Sequence, residues 1–153
     1  MSHVQPPPGQ GEPARRGVGA DFLLRIADPL VLLARAMLAY IFVSEGIGKI
    51  ATYADVEGYM RDHGVAPLLL PLVILTELGG GLLVLVGLKT RWAAIALAGF
   101  CVLTALFFHL GADAAVELQK NIAIAGGFLL LARFGPGAWS IDSRLGGAGD
   151  KSI

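Results

Sequence analysis

Four long apolar stretches, at 29–50, 67–88, 93–110 and 121–134, alternate with short polar connections along the chain. A helix needs roughly 17–25 residues to cross a hydrocarbon core, so the pattern predicts four membrane spans with those bounds. Between the first two, Tyr53, Val56 and Met60 recur at helical spacing and run out at Gly64 and Pro67. That spacing predicts a short helix at the membrane surface within 51–66. The connection Lys89-Thr90-Arg91 admits only an antiparallel helix pair. The expected fold class is therefore all-α, an integral membrane four-helix bundle of up-down topology. Gly79-Gly80-Gly81, Gly126-Gly127 and the pair Ala94 and Ala98 offer small surfaces where helices approach closely.

The ends of the chain break the pattern. Residues 1–20 are rich in Pro and Gly and bury too little apolar surface to offset ordering, and 146–153 reads the same way; both are expected to be disordered tails around one membrane domain at 21–145. Nothing resembling a secretory signal precedes Phe22, so the first span is expected to remain as an anchor.

Composition agrees. The chain has 153 residues, 55% hydrophobic and 16% charged, with a mean hydropathy of +0.67, which excludes an ordinary water-soluble domain and makes the lipid bilayer its first partner. A formal net charge of +0 without a dense Lys/Arg run excludes nucleic acid as a partner. One cysteine, Cys101, rules out an internal disulfide or dithiol and reads as a small buried apolar residue.

Lys and Arg set the expected orientation. Arg15, Arg16 and Arg25 precede the first span, Lys89 and Arg91 sit in the second turn, and Arg133, Arg144 and Lys151 follow the fourth; Lys49, Arg61 and Lys120 fall on the opposite side. The excess predicts cytoplasmic N- and C-termini, and Trp92 and Trp139 suit the interface on that side.

Polar residues inside the spans carry the candidate chemistry. On the first, Arg35, Phe42, Glu45 and Lys49 share a stripe about 80° wide at 100° per residue, and Glu45 precedes Lys49 by the four residues that favour an ion pair. Glu77 lies near mid-bilayer, where a carboxylate must pair with a cation or hold a proton. A contact between Arg35 and Glu77 is one expected pairing. His109 closes the third span where Gln119, Lys120 and Asn121 open the fourth, so with Glu45 and Lys49 they form an outer-leaflet cluster drawn from three helices. Such convergence suits a substrate, quinone head-group or proton site, with His or Lys donating to a carbonyl and Glu exchanging protons; a water-exposed rim of a bundle looks similar. The histidines, His3, His63 and His109, do not pair on facing spans, which predicts no metal or haem, and the glycine triplet lacks the Lys and Ser/Thr of a phosphate loop.

The ordered set Arg35…Ile41-Phe42…Glu45-Gly46…Lys49, Tyr59-Met60…His63-Gly64, Leu75-Thr76-Glu77-Leu78-Gly79-Gly80-Gly81, Thr90-Arg91, Phe107-Phe108-His109, Lys120-Asn121 and Phe134-Gly135-Pro136-Gly137…Trp139-Ser140-Ile141-Asp142 resembles the DoxX family of small bacterial membrane proteins. The resemblance implies a four-helix protein of the bacterial inner (plasma) membrane. It also implies a link to quinol oxidation of sulfur compounds, thiol and oxidative-stress defence, or quinone resistance. It carries over onto Arg35, Lys49, Glu77, His109, Lys120 and Asn121, while Glu45 stands where many members carry a small residue.

The residues and the resemblance together lead to a redox-associated membrane subunit that binds a quinone-like molecule within the bundle. Glu77 and the outer cluster would exchange protons, and a redox partner protein would supply electrons, because no intrinsic cofactor site is legible. Two other readings are an assembly subunit of a membrane redox complex and a small proton-coupled transporter. A homodimer would enlarge the space that four helices enclose.

Overall fold

The computed structural model describes residues 18–110 and 114–146, with side chains from Ile26 onward. Of the expected tails at 1–20 and 146–153, residues 1–17 and 147–153 lie outside the described residues. Four helices long and apolar enough to cross a membrane are present, at Ile26–Ala51, Pro67–Val86, Thr90–Phe108 and Ala115–Phe134. They pack in chain order as an up-down bundle, α1 (Val18–Ala51) against the second span, the second against α5 (Thr90–Phe108), and α5 along α6 (Ala115–Phe134). Exposed Leu33, Met37, Leu82, Ile122 and Leu129 clothe the outside. An apolar exterior of this kind suits lipid.

Three boundaries differ from the sequence pattern, each for a local reason. α1 begins at Val18 and runs through Pro29, so 18–20 are helical instead of part of a tail; proline's fixed φ is helix-compatible, and its missing N–H forfeits one hydrogen bond. α6 starts six residues before the apolar window, because a polar first turn is helical too, and Glu117 pairs with Lys120 along its surface. The second turn is Gly87–Lys89, with Thr90 and Arg91 already in α5. Gly87 (φ +72°) terminates the second span in the left-handed conformation that glycine tolerates.

The second span is not one regular helix. It comprises a 3₁₀ turn at Pro67–Leu69, α3 (Leu70–Ile74), a π turn at Leu75–Gly79 and α4 (Gly80–Val86). Glu77 sits inside the π turn. Thr76 Oγ1 donates to the Leu72 carbonyl at 2.8 Å, occupying an acceptor where the regular ladder is interrupted. α1 comes close on both sides of this turn. A Cβ on Gly46 would lie 3.0 Å from Leu78 Cβ, and one on Gly81 would lie 3.2 Å from Phe42 Cβ. Small residues here let backbones approach as expected of the glycine triplet. Gly80 faces Leu97 of α5 in the same way.

Between α1 and the second span, α2 (Tyr53–Asp62) forms the short helix that the spacing predicts, ended by Gly64 at φ +71°. Met60 is its buried anchor. At the opposite end of the bundle α7 (Ile141–Gly146) returns to the second turn, and Ala138 N–H donates to Asp28 Oδ1 at 2.9 Å, so the start of the first span and the loop after α6 meet there.

Candidate functional site

The bundle has two polar centres, and they do not meet. At the α7 end Arg35 is fully buried. Its Nε donates to the Val84 carbonyl at 2.9 Å, Nη2 to Leu85 at 2.6 Å, and Nη1 to Pro136 at 3.0 Å and Trp139 at 2.8 Å. These carbonyls include the last ones of the second span, where a helix terminus lacks internal donors and carries partial negative charge. Arg35 therefore ties α1, α4 and the 135–140 loop together. The expected Arg35–Glu77 contact is not made: Val84 lies seven residues beyond Glu77, roughly 10 Å along a helix axis at 1.5 Å per residue.

Asp142 completes this end. Its carboxylate accepts from the backbone N–H of Lys89 at 2.7 Å and Thr90 at 2.9 Å, and its own N–H donates to Gly87 at 2.8 Å. It thereby caps the N-terminus of α5 from another segment. Partial burial disfavours its charge, but the donated N–H groups of Thr90 and Lys89 outweigh that and hold its pKa below the usual carboxylate range.

At the α2 end, α1, α2, the second span, α5 and α6 surround a half-open cavity of about 1250 Å³. Glu45, Lys49, Glu77, His109, Lys120 and Asn121 all border it; Arg35 does not, and Gln119 is exposed elsewhere. Lys49 Nζ lies 3.1 Å from Glu45 Oε2, 3.0 Å from Glu77 Oε1 and 2.9 Å from Glu77 Oε2. Only Oε1 lies where it accepts a well-directed hydrogen bond; Oε2 is fully buried and receives none among the described residues. The ion pair is thus real by distance while one lone-pair face of the carboxylate stays unused.

Aromatic and apolar groups make up most of the rest of the wall, with Asp55, Glu117 and several hydroxyls among them. Phe42 sits edge-on to Phe100 (6.4 Å between centroids) and Phe128 (5.3 Å), closing the inner end. On the outer side Tyr59 of α2 stacks on Phe108 at 5.5 Å and 18°, with His63 4.2 Å from the Tyr59 ring and donating through Nδ1 to the Tyr59 carbonyl. Asn121 Nδ2 is turned back onto the Glu117 carbonyl at 3.0 Å. Among the described residues no three His, Cys, Asp or Glu side chains gather as for a metal ion. Cys101 is buried, as its position in an apolar stretch predicts.

A model of the DoxX family matches residues 30–110, just over half of the chain. The chain belongs to the DoxX family. It is 48% identical over 124 residues to the inner membrane protein YqjF of Escherichia coli, covering 79% of this chain and 95% of that one. It is 33% identical to the Escherichia coli inner membrane protein YphA, across 75% of this chain and 89% of the other. A third relative, an uncharacterized membrane protein of Mycobacterium tuberculosis, is 34% identical across 76% and 82%. No solved structure matches significantly. With four apolar helices, this DoxX protein is a multi-pass inner membrane protein.

Several parts of the DoxX site were not legible as such in the chain. The π turn shows in the sequence only as Thr-Glu-Leu before three glycines. Asp55, Tyr59 and Glu117 on the cavity wall come from segments whose facing is set by packing. The Lys49–Glu77 pair spans 28 residues, and it was the close approach at Gly46 and Gly81, outside any local spacing rule, that made it.

Proposed function

We propose that this DoxX protein binds a quinone-like amphiphile in the cavity and exchanges a proton with its head group, as a redox-associated membrane subunit whose electrons come from a partner protein. The observation that carries the reading is the buried Glu77 carboxyl on the cavity wall, whose Oε2 lies 2.9 Å from Lys49 Nζ but receives no well-directed hydrogen bond. A buried acceptor without a donor costs about 1–3 kcal/mol, part of which the Lys49 ammonium at 2.9 Å offsets by charge, so a ligand hydroxyl that donates to it is favoured. Lys49 has three N–H groups and two carboxylate partners, leaving one donor for a ligand carbonyl. A reduced, hydroxyl-bearing ring satisfies Oε2; the oxidised ring offers only acceptors. The site therefore favours the quinol.

The volume exceeds what a single ring needs, and pockets of 300–1,000 Å³ already enclose drug-sized ligands, so part of an isoprenoid tail fits beside Leu69, Leu72, Ile95 and Leu103. The distribution of Lys and Arg supports an orientation in which the α2 end faces the periplasm and both chain ends face the cytoplasm.

The test is to purify the protein in mild detergent and identify and quantify the small molecules that accompany it, wild type against Glu77→Gln. Near-stoichiometric quinol or quinone in the wild type and its loss from the variant is the expected result. Its absence from both, with another membrane protein co-purifying in fixed ratio, would replace this reading with an assembly role.

A further inference from the structure

We propose that Glu77 is reached by water and protons from one membrane face only, the face carrying α2, and that the bundle is a single-mouthed pocket instead of a conduit. The proposal concerns the same site as the reading above but not the identity of its ligand.

Two observations carry it. The first is a graded polar lead: the Glu77 side chain is 6% exposed, its partner Lys49 20%, and Lys49's other partner Glu45 61%. Each step is an ion-pair distance, 2.9 Å and then 3.1 Å. A proton arriving on the Glu45 carboxylate replaces the one Lys49 passes to Glu77, so the ammonium is restored and one proton has moved inward. The titratable groups against the Glu77 carboxyl are Lys49 and Glu45 on α1 and Cys101 on α5. Asp55 on α2, His109 at the C-terminal cap of α5, and Glu117 and Lys120 on α6 line the same cavity.

The second is the barrier on the other side. The buried polar side chains among the described residues are Arg35, Glu77, Thr90 and Ser140, and all except Glu77 belong to the α7 end. Between the two centres lie Ala39, Phe42, Val84, Ala94, Leu97 and Phe128, packed as one apolar cluster. Moving a charge through such a layer costs several kcal/mol or more without polar partners. Arg35 does not help it across, since four of its five N–H donors are engaged by carbonyls at the α7 end.

Thiol accessibility tests this without any quinone, so failure of ligand binding and failure of one-sided access are separate results. In a Cys101→Ala background, Glu77→Cys and Ala39→Cys are placed in membrane vesicles of both orientations and exposed to a membrane-impermeant trimethylammonium methanethiosulfonate. Asp55→Cys marks the α2 face and Arg144→Cys the opposite one. The thiol at 77 is expected to react from the face that modifies position 55, faster by about a hundredfold or more than from the face that modifies position 144. The thiol at 39 is expected to stay silent from both. Modification at 77 from the position-144 face, from both faces at similar rates, or from neither overturns the proposal. If Glu77→Cys does not fold, Ala39→Cys decides alone, because its modification from either face means that the barrier does not exist.

Discussion

Lys49 Nζ sits between the two oxygens of Glu77, 3.0 Å from Oε1 and 2.9 Å from Oε2, and reaches Glu45 Oε2 at 3.1 Å on its other side. One ammonium thus serves a buried carboxylate and an exposed one. Lys49→Met leaves Glu77 without its cation, and removing one partner of a buried pair typically costs about 3–5 kcal/mol. Lys49→Met combined with Glu77→Met is expected to recover most of that loss, because two apolar side chains of similar volume need no solvation. Thermal unfolding in detergent across the double-mutant cycle measures the coupling; equal losses that simply add would mean the pair contributes nothing.

Ligand recognition turns on the charge of the same carboxylate. Glu77→Gln keeps shape and one acceptor but loses the charge assistance, which is worth about 1.5–3 kcal/mol in hydrogen bonds of this type. Affinity for a short-chain quinol is expected to fall about 10- to 100-fold, with affinity for the corresponding quinone changing less. Titration of the purified protein with both redox forms decides; a parallel loss of the two forms would remove the argument from the unused Oε2.

Arg35 supplies the second set of contacts. Each carbonyl that loses its donor in Arg35→Ala costs about 1–3 kcal/mol where burial keeps water away, and there are four. Arg35→Lys is expected to be intermediate at best, because a point-like ammonium cannot address four divergent acceptors as a planar guanidinium does. Limited proteolysis of the segment after Phe134 should become faster in the order wild type, Lys, Ala.

Two glycines should respond in opposite directions. A Cβ on Gly87 would lie 2.5 Å from Ser140 Cβ and 2.6 Å from Arg35 Nη2, at φ +72°. Gly87→Ala is expected to lower stability by more than about 2 kcal/mol through strain and overpacking. Gly99, in mid-α5, has nothing within 4 Å of its would-be Cβ. Gly99→Ala is expected to leave the fold intact and raise stability by about 0.5–1 kcal/mol, as helix propensity dictates.

Asp142 gives the α7 end a pH dependence. Its folded pKa lies below its unfolded value, so its contribution is fully present above the ordinary carboxylate range and is lost as pH falls through the folded value. Asp142→Asn is expected to cost about 1 kcal/mol at neutral pH, the usual scale of a lost helix cap, and nothing once the wild-type carboxyl is protonated. Unfolding of the two proteins between neutral and acid pH should converge from the wild type's advantage to equality.

Much of this was legible in the chain. Hydropathy period and length determined four spans, because a bilayer demands runs of apolar residues whatever they pack against. Tyr53, Val56, Met60 and Gly64 determined α2, since helical spacing and a left-handed stop are local properties. The pairing of Glu45 with Lys49 followed from one helical turn. The polar residues at the α2 end were readable as a cluster because up-down topology brings alternate span ends to one level. What the tertiary structure decided was partnership: Lys49 and not Arg35 for Glu77, carbonyls and not a carboxylate for Arg35, and an Asp142 carboxylate as the cap that starts α5 at Thr90. The physical reason is that side-chain reach of a few ångströms is set by how closely two backbones approach. That approach is fixed by Gly46, Gly81 and a π turn acting together, none of which has a one-dimensional signature strong enough to place a contact 28 residues away.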